Sequence, residues 1–106
     1  MTLKIDSTDR ENIIVELKDQ KSKALDQISE KRLGSQILLP LIIKILKRNN
    51  KKLSDIKSIE VNQGPGSFTG TRVGVSIANA LSFALNVKVN NKKGINLPKY
   101  MKRKFD

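Results

Sequence analysis

The residues whose types and spacing could do chemistry lie between Gln63 and Gly74: Gln-Gly-Pro-Gly-Ser-Phe-Thr-Gly-Thr-Arg-Val-Gly. Ser58-Ile59-Glu60-Val61 before it is a β-favouring run, and Thr71 to Leu85 after it has helical periodicity. A strand that feeds a helix through a glycine loop turns backbone N–H groups toward whatever lies above the sheet, and the helix dipole favours an anion there. Gly64, Pro65, Gly66, Ser67, Phe68, Thr69, Gly70 and Arg72 are therefore the candidate anion or partner contacts. The loop has no Gly-Lys-Ser/Thr and is not a P-loop. Its G-x-G-x-x-x-G spacing is one residue longer than the dinucleotide fingerprint. The same spacing also suits a plain tight turn in which backbones approach closely. Arg72 is a cation in the first turn of a helix, where the dipole disfavours it, so it needs either an anion or a solvent-facing rotamer.

Two helices would position this loop. Gly70, Gly74, Ala78 and Ser82 recur every four residues and make a small-residue row, with Val73, Ile77, Leu81 and Ala84 as a bulkier row beside it. A small-residue row lets another element approach closely, from the same chain or from a partner. The earlier helix, from an N-cap at Ser35 to about Arg48, is apolar nearly all round over Ile37–Leu46, so both of its faces call for cover. Pro40, one turn in, would delete the bond to the Gln36 carbonyl and bend it. The expected partner face combines Leu38, Leu41, Ile42 and Ile45 with Gly70, Gly74, Ala78 and Leu81.

The remaining elements are strands. Thr2–Asp6 alternates, with Leu3 and Ile5 on one face, and Ile13, Val15 and Leu17 alternate after a polar turn. Lys18-Asp19-Gln20-Lys21 reads as a hairpin turn, Lys23–Ser29 as a weak edge strand, and Asn86–Asn90 as a last short strand. The order β-β-β-α-β-α-β predicts an α/β fold, a mixed five-stranded sheet with helices packed on it.

The run Gly64-Pro65-Gly66-Ser67-Phe68-Thr69-Gly70-Thr71-Arg72-Val73-Gly74 resembles the signature of the TsaB (YeaZ) family, Gcp-like bacterial partner proteins in forming threonylcarbamoyladenosine in tRNA. Leu3–Thr8 is similar to that family's opening strand and Leu38–Ile42 to its first helix. Thr71 stands where the family commonly has Leu, and Asp6-Ser7-Thr8 reverses its Thr-Ser order. The resemblance implies a single actin-like (ribonuclease H-like) lobe over residues 1–90, followed by a basic tail, 91–106, with no counterpart of the family's second lobe. In actin-like ATPases an Asp at the end of the first strand lies near metal and phosphate, and Asp6 falls at that place. The resemblance further implies a noncatalytic scaffold with no cofactor, which binds a TsaD-like enzyme through a four-helix contact, in a complex that extends to a TsaE-like ATPase. A homodimer through the same helices is expected when the chain is alone. The TsaD-type relative holds a metal through histidines on the matching helix, whereas this sequence has no His.

Composition narrows the chemistry further. Without His or Cys there is no imidazole acid–base catalysis, thiolate chemistry, disulfide or N/S-ligated zinc site. The 106 residues suit one domain with an aliphatic core, since aromatics are only 4%. The start carries no basic, apolar leader, and the longest apolar run is far short of the ~20 residues that span a bilayer, so a cytoplasmic protein is expected. A net charge of +11 makes a polyanion an obvious partner. Lys92, Lys93, Lys99, Lys102, Arg103 and Lys104 in the tail are the candidate RNA contacts, and a basic tRNA-binding module is the alternative to the scaffold.

Overall fold

The computed structural model describes residues 1–31, 37–66 and 68–91. Three antiparallel strands, β1 (Thr2–Asp6), β2 (Asn12–Lys18) and β3 (Ala24–Lys31), are followed by helix α1 (Leu38–Arg48) and a short 3₁₀ turn, Leu53–Asp55. Then come β4 (Ser58–Val61), helix α2 (Phe68–Leu85) and the two-residue β5 (Lys88–Val89). The sheet order is β3-β2-β1-β4-β5, with β4 parallel to both β1 and β5. This is the expected mixed five-stranded sheet. The third strand runs further than predicted, the second helix starts earlier, and the last strand is shorter.

Alternation in the sequence becomes one buried sheet face. Leu3 and Ile5, then Ile13, Val15 and Leu17, then Ile59 and Val61 are at most 5% exposed. Lys4, Glu16 and Glu60 take the other face, away from both helices, where Lys18 Nζ reaches Glu60 Oε2 at 3.3 Å across β1. Both helices lie on the apolar side, α1 over β2 and β3, α2 over β1, β4 and β5, and they touch each other. Each large aliphatic side chain buried here contributes about 1.5–3 kcal/mol, and among the described residues the core is wholly aliphatic.

Helix α1 corrects the expectation of a helix apolar on all sides. Leu38, Leu41, Ile42, Ile45 and Leu46 are buried at the i, i+3, i+4, i+7, i+8 spacing of a single stripe. Leu39 is 46% exposed, and Lys44, Lys47 and Arg48 face water. Pro40 is the third residue of the helix, in the first turn, where backbone N–H groups have no intrahelical partner, so no bond is lost and no bend is required. Ser35, the expected cap, lies outside the described residues.

Both helices end on an asparagine in the left-handed region, Asn50 at φ 55° and Asn86 at φ 54°. Lys51 N–H then donates to the Leu46 carbonyl and Asn50 N–H to that of Lys47, the paired bonds of a Schellman ending. Asn90 finishes β5. Its backbone N–H donates to the Ile59 carbonyl, while its side-chain amide accepts from Val61 N–H and donates to Val61 C=O, standing in for a peptide group.

The far end of α1 is tied to the edge strand by a fork. Arg48 Nε and Nη2 donate to the two Asp26 carboxylate oxygens at 2.8 and 2.6 Å, and Asn49 Nδ2 adds a third bond at 2.7 Å. Hydrogen bonds from Arg48 and Asn49 hold the Asp26 carboxyl well below the usual carboxylate range. The folded value is depressed, so the stabilisation is complete above the unfolded-state pKa of about 4 and declines as pH falls below it. Asp26→Asn therefore lowers the urea midpoint at neutral pH, and the midpoints of variant and wild type converge as the medium is acidified toward pH ~2. Urea melts of both proteins at several pH values check this.

Candidate partner face and glycine loop

The glycine loop is built from side chains that fold back on their own backbone. Asn62 Oδ1 accepts from Gly64 N–H at 3.0 Å, and Gly64 takes φ 102°, a conformation that only glycine adopts without strain. Asn62 Nδ2 donates to Asp6 Oδ2 at 3.3 Å, while Asp6 Oδ1 accepts from Thr8 N–H and Thr8 Oγ1. Burial pushes the Asp6 carboxyl up, but the bonds from Thr8 and Asn62 and the charge of Lys4 outweigh it and leave the group below its ordinary value. Asp6 is therefore an ionised staple between the β1–β2 turn and the loop. No group of three or more carboxylates that could hold a metal occurs among the described residues.

The glycines serve close approach. A Cβ on Gly66 would lie 2.5 Å from Thr8 Cβ and 2.7 Å from Thr8 O. A Cβ on Gly74 would strike Ser7 Oγ and sit 3.6 Å from Ile5 Cγ2. Ser7, fully buried, donates from Oγ to the Gly70 carbonyl at 2.6 Å. The row Gly70, Gly74, Ala78 is thus the inner face of α2, pressed on the end of β1. Ser82, next in the row, donates from Oγ to the Val87 carbonyl and fastens the turn into β5.

This placement revises the expected partner face. Leu38, Leu41, Ile42, Ile45 and Ala78 are at most 3% exposed, Gly70 and Gly74 are buried, and Leu81 packs partly against the core. They fill this chain's own interior. The outer face of α2 carries Arg72, Ser76, Ala80, Phe83 and Ala84, with Val73 and Ile77 at its margin. Phe83 is 92% exposed. Periodicity alone could have offered this row, since it shares one helix face, but a lone phenylalanine among small residues gave no direction. Pro65 is exposed; Ser67 and the side chains of Phe68 and Thr69 lie outside the described residues. So do Lys92, Lys93, Lys99, Lys102, Arg103 and Lys104 of the tail.

Thr71, also fully buried, has a hydroxyl with no hydrogen-bond partner among the described residues. An orphaned buried hydroxyl costs about 1–3 kcal/mol. Thr71→Val, nearly isosteric, should raise stability by about 1 kcal/mol in chemical denaturation. Gly74→Ala should lower it by about 1–3 kcal/mol by driving Ser7 off the Gly70 carbonyl. In a Ser7→Ala background the same change costs distinctly less, and a double-mutant cycle measures the difference.

Comparison with known proteins fits this geometry. Residues 28–91 match the family model described as TsaD, tRNA N6-adenosine threonylcarbamoyltransferase. A tRNA threonylcarbamoyladenosine biosynthesis protein TsaB from Buchnera aphidicola subsp. Baizongia pistaciae is 44% identical over 50 residues, 47% of this chain and 23% of the relative. The Escherichia coli TsaB is 42% identical over 48 residues, 45% of this chain and 21% of its own. A tRNA N6-adenosine threonylcarbamoyltransferase from Nitrosomonas eutropha is 43% identical over 54 residues, 51% of this chain and 16% of the relative. The solved structure of YeaZ from Pseudomonas aeruginosa superimposes with a TM-score of 0.74 at 32% identity, over 83% of this chain and 40% of that one. The chain thus spans less than a quarter of the length of these sequence relatives. The TsaD model covers more than half of the chain, the glycine loop lies inside it, TsaB proteins are among the relatives, and the sheet with its two helices is that of a YeaZ lobe: the chain belongs to the family that joins the TsaD and TsaB (YeaZ) proteins.

Proposed function

We propose that this chain is a noncatalytic partner in the threonylcarbamoyladenosine modification of tRNA, acting in the cytoplasm by binding a TsaD-like enzyme through the outer face of α2. The observation that carries this reading is Phe83, 92% exposed on a helix whose neighbouring outer positions, Ser76, Ala80 and Ala84, are small. A phenylalanine so placed contributes about 2–3 kcal/mol once covered, and the small row beside it gives a partner helix room to lie close. Aromatic anchors of this kind dominate the energetics of helical interfaces. The glycine loop and the inner row hold α2 rigidly against β1, so the outer row is presented in one geometry. The absence of His and the full use of Asp6 in the turn support a scaffold over an enzyme. By the same family likeness a TsaE-like ATPase completes the assembly, and without its partner the face closes on a second copy of the chain.

Sedimentation equilibrium of the chain alone, and mixed with a TsaD-like enzyme from a bacterial relative, tests this. Wild type should self-associate and form a heterodimer. Phe83→Ser should weaken both by about tenfold or more, with an unchanged thermal melt because the side chain is outside the core. A wild type that stays monomeric at high concentration and ignores the enzyme would overturn the reading.

A further inference from the structure

Charge is unevenly distributed along the strands. The β2–β3 hairpin, the lower end of α1 and the N-terminal ends of β1, β4 and β5 all gather at the edge of the sheet away from the glycine loop. The register shows this directly: Lys18 pairs with Thr2, Thr2 with Ser58 and Ser58 with Lys88, with Ala24 next to Lys18 on the margin strand. Helix α1 descends to the same end, where Arg48 holds Asp26 near the start of β3 and Lys57 N–H donates to the Met1 carbonyl.

The hairpin brings Lys18, Lys21 and Lys23 to this end. The last turn of α1 brings Lys47 and Arg48. The segment into β4 adds Lys51, Lys52 and Lys57, and β5 adds Lys88, so nine cations stand against Asp19, Asp26 and Asp55. All other described residues hold five cations against six acids. The net positive charge of the described residues is therefore confined to this one end.

The three acids there are already engaged. Asp19 accepts from the Lys21 and Lys23 backbone N–H groups, Asp55 from that of Lys52, and Asp26 from Arg48 and Asn49. Lys18 is paired with Glu60. The other seven lysines are exposed and make no ion pair among the described residues. Lys47 and Arg48 meet the negative end of the α1 dipole, which accounts for them in part. Lys21, Lys23, Lys57 and Lys88 belong to other elements, so that account does not extend to them.

We infer that this end of the sheet is a docking surface for the sugar–phosphate backbone of RNA, contacted without regard to sequence. Five strands at about 4.8 Å make a row ~19 Å across, over which a duplex presents on the order of ten phosphates. Lysine ammonium groups serve as point charges for such an array. A bilayer surface fits less well. The exposed large apolar side chains among the described residues, Leu25 on β3, Leu39 in the first turn of α1 and Phe83 on α2, are single residues on three separate elements. The inference concerns a surface separate from the outer row of α2 and does not rest on the partner reading.

Fluorescence anisotropy of a labelled tRNA transcript, titrated with the full chain between about 50 and about 200 mM salt, tests it. The variant Lys51→Gln/Lys52→Gln/Lys57→Gln should lose about tenfold or more in affinity at low salt, and its log–log salt slope should shrink by about 2 to 3. Lys4→Gln/Arg10→Gln/Lys31→Gln removes the same charge from the rest of the molecule and should change both little. Equal losses in the two variants would overturn the inference, because the binding would then follow total charge. Tighter capture of poly-glutamate or of phosphatidylserine vesicles than of tRNA would overturn the assignment to nucleic acid. No TsaD-like enzyme is present in the measurement, so its outcome is independent of partner binding.

Discussion

The fold depends on how closely α2 approaches the end of β1. Two glycines, Gly66 and Gly74, occupy positions where a methyl group would run into Thr8 and Ser7, and the buried Ser7 hydroxyl spans the remaining gap to the Gly70 carbonyl. With those contacts made, Ala78 and Val75 reach the core and Val61 is sealed beneath the helix. A β1–β2 turn stapled by Asp6 and a loop stapled by Asn62 supply the rigid counterpart. Local hydrogen bonding of Asn and Asp to nearby backbone does here what longer-range packing does elsewhere.

That approach divides α2 lengthwise. Its inner row consists of residues small enough to touch the sheet, and its outer row consists of mostly small residues interrupted by Phe83. The two rows answer to different forces. The inner one is set by close packing within the chain, and the outer one is free to complement another surface. Helix α1 divides in the same way, into an aliphatic stripe on the sheet and a lysine-rich outer side.

Much of this architecture was legible in the residues. Alternation at Leu3/Ile5 and Ile13/Val15/Leu17 marks which strand face is buried, because a strand has only two faces and the other, although it includes Ile14, carries Lys4 and Glu16. The glycine loop was legible as a strand-to-helix turn. What periodicity could not supply was direction. It states which residues share a helix face, not which face turns inward. In α2 both rows are nearly neutral in polarity, so periodicity leaves open whether the small-residue row meets a partner or the chain itself, and what it meets is Ser7, 63 positions away in sequence from Gly70. In α1 eight apolar residues in ten left the phase undetermined until the sheet selected Leu38, Leu41, Ile42 and Ile45 and left Leu39 outside. The grouping of lysines at one end was illegible for a related reason, since it arises from strand register among segments far apart in the chain.

The amide of Asn90 carries a consequence for how copies of this chain can meet. By imitating a peptide group it saturates both polar atoms of Val61 and ends the ladder one residue beyond Val89. The margin at β5 therefore offers two residues of strand, too short a template for a foreign segment to add itself in register. The opposite margin, β3, is eight residues long, follows directly on Lys23 and ends on Lys31, with Asp26 and Glu30 between them. Charge guards the long margin and brevity the short one, so runaway cross-strand polymerisation is opposed on both sides of the sheet.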